Sequence, residues 1–314
     1  MPDPGEVLLS GELYRPGLSR ALARGEVERL RYGVYRVPPS ETRGYAAARV
    51  RARDVAAAVH RLLHAPHTLS HETAALCWGL TLWRTPTRTH VIQGYRASGH
   101  ASRDVARHVV PLPDDQRTTH DGLPVTTIAR TVVDCALAMH PLESLVVADS
   151  ARRAGMDVER ARAVLASMAT RKGRARATWV LDHAEPGADS AWETWLRYVC
   201  LRAGLPRPAT QVPVDTPRGR FHCDLGWPEW SVLAEFDGRM KYRDGALGDA
   251  HDGATELLRE KARYEAIREA GHDPVRVLAT GGQRVTRIVE RIAARFPEDL
   301  QRTFRVNPLL PPPP

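Results

Sequence analysis

The run CDLGWPEWSVLAEFDGRMKY, Cys223 to Tyr242, decides how the C-terminal part of the chain folds. Trp227 to Trp230 reads as a tight turn, with arms from Arg220 to Leu225 and from Val232 to Asp237. Strand alternation puts Val232, Ala234 and Phe236 on one face and Leu233, Glu235 and Asp237 on the other. Counted back through the turn, Asp224 falls opposite or diagonal to Glu235, about 5 to 8 Å away. Buried carboxylates are unfavourable unless something pairs with them. Two readings stand at this point: the acids share a divalent cation, or arginines neutralise them in ion pairs.

The flanking sequence extends the unit. SAWETWLRYVCLRAGL reads as a helix capped by Ser190 and stopped at Gly204, with Trp192, Trp195, Leu196 and Val199 as its apolar face and Glu193 at the edge. A strand over Gln211 to Val214 follows, then the acidic hairpin. A helix from about Ala254 to Ala270, stopped at Gly271, and a strand from Val275 to Leu278 complete the order α-β-β-β-α-β.

That order, with Ser190 and Glu193 on the first helix, AGLPRP before the first strand, Asp224, then Glu235, Asp237 and Gly238, and the arginine-bearing LREKARYEAIREAGH before VRV, resembles the PD-(D/E)XK nuclease fold. More narrowly it is similar to a domain of unknown function related to the very-short-patch-repair (Vsr) endonucleases. The resemblance implies a phosphodiester-hydrolysing site using Mg²⁺ or Mn²⁺, with Asp224 and Glu235 as ligands and Glu193 binding directly or through water. In the broader fold the residue two after the second acid is usually lysine. Here it is Asp237, which leaves Lys241 and Lys261 as the candidates for the lysine's role.

At the other end, GLSRALARGEVERLRYGVYRV, Gly17 to Val37, reads as a short helix from a Ser19 cap through Arg24, ended by Gly25. A hairpin follows, with arms Val27 to Leu30 and Val34 to Val37 around Gly33. This is the shape of a recognition helix and wing, with Arg20, Arg24, Arg29, Arg31 and Arg36 available to phosphates. The bland reading is a small solvated unit whose arginines face water. The segment resembles the N-terminal winged helix of AbiEi-type antitoxins, whose wing commonly ends in a GVY motif, matched by Gly33, Val34 and Tyr35. SHETAALCWGL (70–80) and GLPVTTIARTVVDCA (122–136) extend that resemblance. It implies DNA binding and a cognate toxin as partner. Few residues precede Gly17, so the leading helices of a complete winged helix are expected to be short or absent.

Composition fits these readings. The chain has 314 residues, 43% hydrophobic and 26% charged, enough for a substantial core and two or three domains. A net charge of +8 favours an anionic partner, although the arginine-, alanine- and proline-rich composition of a GC-rich gene accounts for part of it. With no apolar leader or membrane-length run, the expectation is a cytoplasmic protein without a membrane partner. Cys77, Cys135, Cys200 and Cys223 are far apart and read as reduced core thiols. His60, His64, His67 and His71 recur in HRLLHAPHTLSH, but Pro66 breaks the helical spacing and no carboxylate or thiol completes a set, so they read as no metal site. Gly155 closes one helix of the middle region and Asp157 caps the next. The hydroxyls of TLSHET and VTTIART fit caps and turns rather than a nucleophile.

The expected architecture is an α+β multidomain chain. It comprises a winged-helix-like unit (1–42), a mixed α/β middle domain (43–170), a basic hinge or helix (171–188), a restriction-endonuclease-like domain with a central mixed sheet flanked by helices (189–300) and a disordered tail (301–314). Two functions follow: a Mg²⁺-dependent DNA endonuclease, or an AbiEi-type antitoxin and repressor with an inactive nuclease-like domain.

Overall fold

The computed structural model describes residues 7–9, 15–38, 44–96, 102–237, 253–278 and 285–314. The chain is α+β and forms two compact units, Met1–Leu80 with Arg84–Asp134, and Thr81–Trp83 with Cys135–Pro314.

The N-terminal unit begins with β1 (Val7–Leu9), α1 (Arg15–Ala23), β2 (Glu28–Arg31) and β3 (Val34–Arg36), whose strands form an antiparallel sheet in the order β1-β3-β2. The β2–β3 turn needs a left-handed residue, and Gly33 supplies it at φ 75°. Tyr32 stands at its tip, 91% exposed. Helix α2 (Gly44–Leu62) has two apolar sides. Val55 and Ala58 close over Leu30 and Val34, while Ala56 and Val59 enter the core of a second sheet beside Leu69, Val91 and Val125.

That second sheet comprises β4 (Thr68–Leu69), β5 (Thr89–Ile92), β6 (Val105–His108), β7 (Arg117–His120) and β8 (Leu123–Thr126), in the order β6-β5-β4-β8-β7, with α3 (His71–Cys77) after β4. Helix α4 (Ile128–Ala138) follows β8; on it Arg130 is buried, bonded to Asp134 at 2.8 Å and to Gln116 at 2.7 Å.

The C-terminal unit contains α5 (Pro141–Arg153), α6 (Val158–Ser167), α7 (Arg174–His183), α8 (Ala191–Arg202), β9 (Ala209–Thr216), β10 (Gly219–Trp227), β11 (Val232–Asp237), α9 (Gly253–Glu269), β12 (Val275–Leu278), α10 (Val285–Ala293) and α11 (Glu298–Gln301). Its sheet runs β12-β11-β10-β9. Strands β9, β10 and β11 are antiparallel neighbours; β11 and β12 are parallel, and the crossover that a parallel pair requires contains α9. Phe236 of β11 stacks on Trp192 of α8 at 5.3 Å, whereas Leu233 packs with Ile267 of α9. The hairpin predicted from sequence is present, its turn made by a single 3₁₀ turn at Pro228–Trp230.

Two boundaries differ from expectation. Residues 141–183 belong with the C-terminal unit rather than with a middle domain, and of the two readings of 171–188, hinge or helix, the segment is a helix over Arg174–His183. The reason is a buried ion pair: Arg197 of α8 bonds Asp149 of α5, which also accepts from Thr194 Oγ1 and the Glu185 amide. Trp179, Val180 and Leu181 of that helix are buried as well. The proline-rich end is also not a loose tail. Leu310 is buried, Tyr198 donates its hydroxyl proton to the Pro311 carbonyl at 2.8 Å, and Arg202 Nε donates to the Leu310 carbonyl at 3.0 Å. Prolines lack amide donors but keep their carbonyls, and side-chain donors on α8 use them. Gly204, at φ 85°, admits this segment: a Cβ there would lie 2.2 Å from the Arg305 carbonyl oxygen.

Candidate active site

Three of the predicted acids approach one another in the C-terminal unit, one from each of α8, β10 and β11, near enough for the two glutamates to act on the Asp224 charge but without one oxygen of each lying within 4.8 Å of the others. Glu193 is set by the helix start. Ser190 caps α8 by accepting from the Glu193 amide at 3.2 Å, and its hydroxyl donates to Glu193 Oε1 at 2.8 Å. The Asp189 amide and Gln211 Nε2 donate to Glu193 Oε2 at 2.8 and 3.4 Å. The Asp149–Arg197 pair locks the next turn of the same helix, so Glu193 is held at both ends. It is 5% exposed.

Asp224 lies where the β-ladders are interrupted. The β10–β11 pairing runs from Trp227↔Val232 to Leu225↔Ala234, and the β9–β10 pairing steps from Leu225↔Thr210 to Cys223↔Val212. Across that step Gln211 adopts φ 50°, a left-handed conformation disfavoured for a side chain of this kind. Asp224 instead accepts from the Phe236 amide through Oδ2 at 2.7 Å. Burial, then the nearby Glu193 carboxylate, raise its pKa to about 7; the Phe236 amide and Arg263 oppose this, and Glu235 adds to it.

Glu235 is 3% exposed. Its Oε1 lies 3.0 Å from Arg263 Nη1, which also donates to the His222 carbonyl at 2.8 Å. The Cys223 thiol lies against the same carboxylate, and burial with that neighbouring charge pushes its pKa up. The ion-pair reading is thus realised at Glu235, where Arg263 supplies the opposite charge, whereas Asp224 lies near two other carboxylates.

The remaining predicted residues are not joined to this group. Lys261 on α9 is mostly exposed and faces Glu265 at 3.9 Å. It lies two positions from Arg263, about 200° around the helix, so it points away from the acids and is removed from the catalytic set. Lys241 lies outside the described residues, as does the side chain of Asp237. Arg263, Gln211 and Cys223 are the site residues that sequence reasoning missed. Arg263 had a signal in the arginine-bearing helix, whereas Gln211 depends on an irregular strand that alternation cannot foresee.

On the N-terminal unit, Arg20, Arg24 and Arg29 are exposed, and Arg31 is half-buried with Asp104 at 3.5 Å. Arg36 is withdrawn from the phosphate-contacting set: it is buried and ion-paired with Glu28 and Asp54, because its position in β3 faces α2. The histidine run also resolves differently from its spacing. His60 bonds His67 at 3.0 Å, whereas His71 joins His90 and His108 from other strands. Burial, then the neighbouring imidazoles of His108 and His90 and the Arg130 guanidinium, hold the pKa of His71 well down, and burial with His108 and Arg88 lowers that of His90 to about 4.

Comparisons place these features among few relatives. No family model matches the chain. The uncharacterized proteins MT2308 and Rv2248, from two strains of Mycobacterium tuberculosis, are each 30% identical to it over 186 residues, covering 58% of this chain and 63% of theirs. The chain thus spans less than two thirds of the length of these curated relatives. The crystal structure of the RV2827C protein from Mycobacterium tuberculosis is similar over 56% of this chain and 71% of its own, with a TM-score of 0.36 and 18% identity. Among the described residues no helix is long and apolar enough to cross a membrane.

Proposed function

We propose that the C-terminal unit is a metal-dependent DNA endonuclease site and that the N-terminal unit docks the protein on duplex DNA in the cytoplasm. The observation that carries this reading is the approach of Glu193, Asp224 and Glu235 from three different elements, the two glutamates buried and Asp224 half-buried, with burial first and then like charge raising the Asp224 pKa to about 7. Carboxylates so placed fit a hard divalent cation, which relieves their repulsion and prefers oxygen donors. Asp224 and Glu235 would hold Mg²⁺ or Mn²⁺, with Glu193 binding directly or through water. Bound there, the ion supplies neutralisation of phosphate charge and a lower pKa for water. The protein's own groups do the rest: the Phe236 amide fixes Asp224, the Ser190 hydroxyl and Gln211 amide fix Glu193, and Arg263 pairs with Glu235. Arg263 also offers a cation where the broader fold uses lysine.

The docking reading is supported by the exposed Arg20, Arg24 and Arg29 beside a hairpin tipped with exposed Tyr32. One observation favours a second reading, an AbiEi-type antitoxin and repressor, with a cognate toxin as partner and an inactive nuclease-like domain: Arg263 already supplies Glu235 with a positive charge. Incubation with supercoiled, linear and mismatched DNA in Mg²⁺ or Mn²⁺, alongside Asp224→Asn and Glu235→Gln, separates the two. The endonuclease reading expects nicking by the wild type that both substitutions abolish. Duplex binding without metal binding or cleavage leaves the regulator.

A further inference from the structure

We propose that His71, His90 and His108 in the N-terminal unit form a binding site for a zinc-class divalent transition ion, separate from the acidic site and from the activity proposed for it. The three residues come from the start of α3, from β5 and from the end of β6, and one ligand atom of each lies within 4.8 Å of the others. Among the described residues this is the set of three or more His, Cys, Asp or Glu side chains gathered closely enough to share an ion.

The hydrogen bonds around the rings argue for a site rather than a chance cluster. His90 Nδ1 and His108 Nε2 face each other at 3.1 Å. The pair is a hydrogen bond as it stands, and two nitrogens on one tetrahedral zinc, each about 2.05 Å from it, lie about 3.3 Å apart, so an ion would replace the shared proton with little change in spacing. The opposite nitrogen of His90, Nε2, lies 3.3 Å from Glu72 Oε2. His71 Nδ1 bonds Ser70 Oγ at 3.0 Å, which leaves its Nε2 for the ion. Ligating imidazoles almost always present their second nitrogen to such a carboxylate or polar oxygen, which fixes tautomer and ring orientation. Nearby arginine charge is already engaged: Arg130 is paired with Asp134, and Arg88 donates to the carbonyls of Arg103 and Val105.

The backbone is also committed to this geometry. His71 adopts φ 51°, a left-handed conformation unfavourable for a residue with a Cβ, at the first position of α3. The His71 and His108 rings stack at 3.9 Å with 18° between their planes. Stacked rings aim their in-plane lone pairs side by side, so coordination turns one ring out of the stack. Three imidazoles leave a fourth position for water or an exchangeable ligand. Because β6 is an edge strand, the ion would staple it to β5 and α3.

The test uses untagged full-length protein, stripped with chelator and dialysed, titrated with Zn²⁺ by calorimetry and with Co²⁺ by visible absorption. With excess Mg²⁺ present to occupy the acidic site, one Zn²⁺ or Co²⁺ per chain, a Co²⁺ spectrum of tetrahedral nitrogen ligation and a metal-induced rise in thermal midpoint are expected. His90→Ala and His108→Gln should abolish all three. Glu72→Gln, a half-exposed position whose change leaves the fold intact, should weaken binding about 10- to 100-fold. His60→Gln should bind as wild type, and Asp224→Asn, whose change falls in the acidic site, should keep the ion that gives the tetrahedral nitrogen spectrum, which keeps failure here distinct from failure at the acidic site. Absence of stoichiometric binding in the wild type, binding that survives in the folded His90 and His108 variants, or undiminished affinity in the Glu72 variant overturns the proposal.

Discussion

Asp224→Asn is expected to stabilise the metal-free protein, and to do so more at high pH than at low. In the folded protein the carboxyl has a pKa of about 7, against an ordinary value of 3.8. A carboxyl whose folded pKa is raised takes up a proton on folding between those two values. Its contribution is therefore fully present below about pH 4, is lost as pH rises towards 7, and is flat above. At about 1.36 kcal/mol per tenfold change, the wild type's deficit relative to a side chain that cannot ionise is roughly 1.5 kcal/mol at pH 5 and roughly 4 kcal/mol at pH 8. Asparagine keeps an oxygen to accept from the Phe236 amide and carries no charge towards Glu193 or Glu235. For a unit of this size the gap corresponds to about 3–6 °C in thermal midpoint at pH 5 and about 8–16 °C at pH 8. Differential scanning calorimetry of both proteins in chelator, at several pH values from 5 to 8, reads it directly. Adding Mg²⁺ at pH 8 should then raise the wild-type midpoint and leave that of the variant where it was. A gap that does not widen with pH, or a variant less stable than wild type at pH 8, would show that Asp224 is not held among uncompensated carboxylates.

Ser190→Ala removes the α8 cap and the hydroxyl bonded to Glu193, and should lower stability by about 1 kcal/mol in urea titrations. Arg36→Ala leaves Glu28 and Asp54 without their shared cation and should cost about 3–5 kcal/mol, whereas Arg29→Ala should stay within about 0.5 kcal/mol while weakening duplex binding; circular dichroism melts and a salt series of binding isotherms check both halves. Leu310→Ala should destabilise the C-terminal unit by about 2–3 kcal/mol, and a chain ending at Thr303 by more, since it also strips acceptors from Tyr198 and Arg202; equal melts for truncated and full chains would restore the loose-tail reading.

The local signals in the sequence determined the elements. Ser190 and Gly204 bound α8, Gly155 and Asp157 mark the α5–α6 turn, and the Trp227–Trp230 turn sets the β10–β11 hairpin, because caps, left-handed glycines and strand alternation act over a few residues. Alternation also singled out Asp224 and Glu235, and the resemblance to the nuclease fold added Glu193. Only the tertiary structure decided what surrounds them. That Arg263 rather than Lys261 faces Glu235 depends on which side of α9 packs on the sheet. That Gln211 reaches Glu193 depends on an irregularity in β9, and Arg36 became structural because Asp54 of α2 came to lie beside it. The His71, His90 and His108 group joins residues up to 37 positions apart through the pairing of β5 with β6 and the placing of α3 beside them, as does the docking of Leu310 against α8 through carbonyls that no pattern of side chains announces. Sequence spacing reports neighbours along one helix or strand; long-range pairing and burial choose the partners across elements, and burial turns a set of ordinary carboxylates into a site.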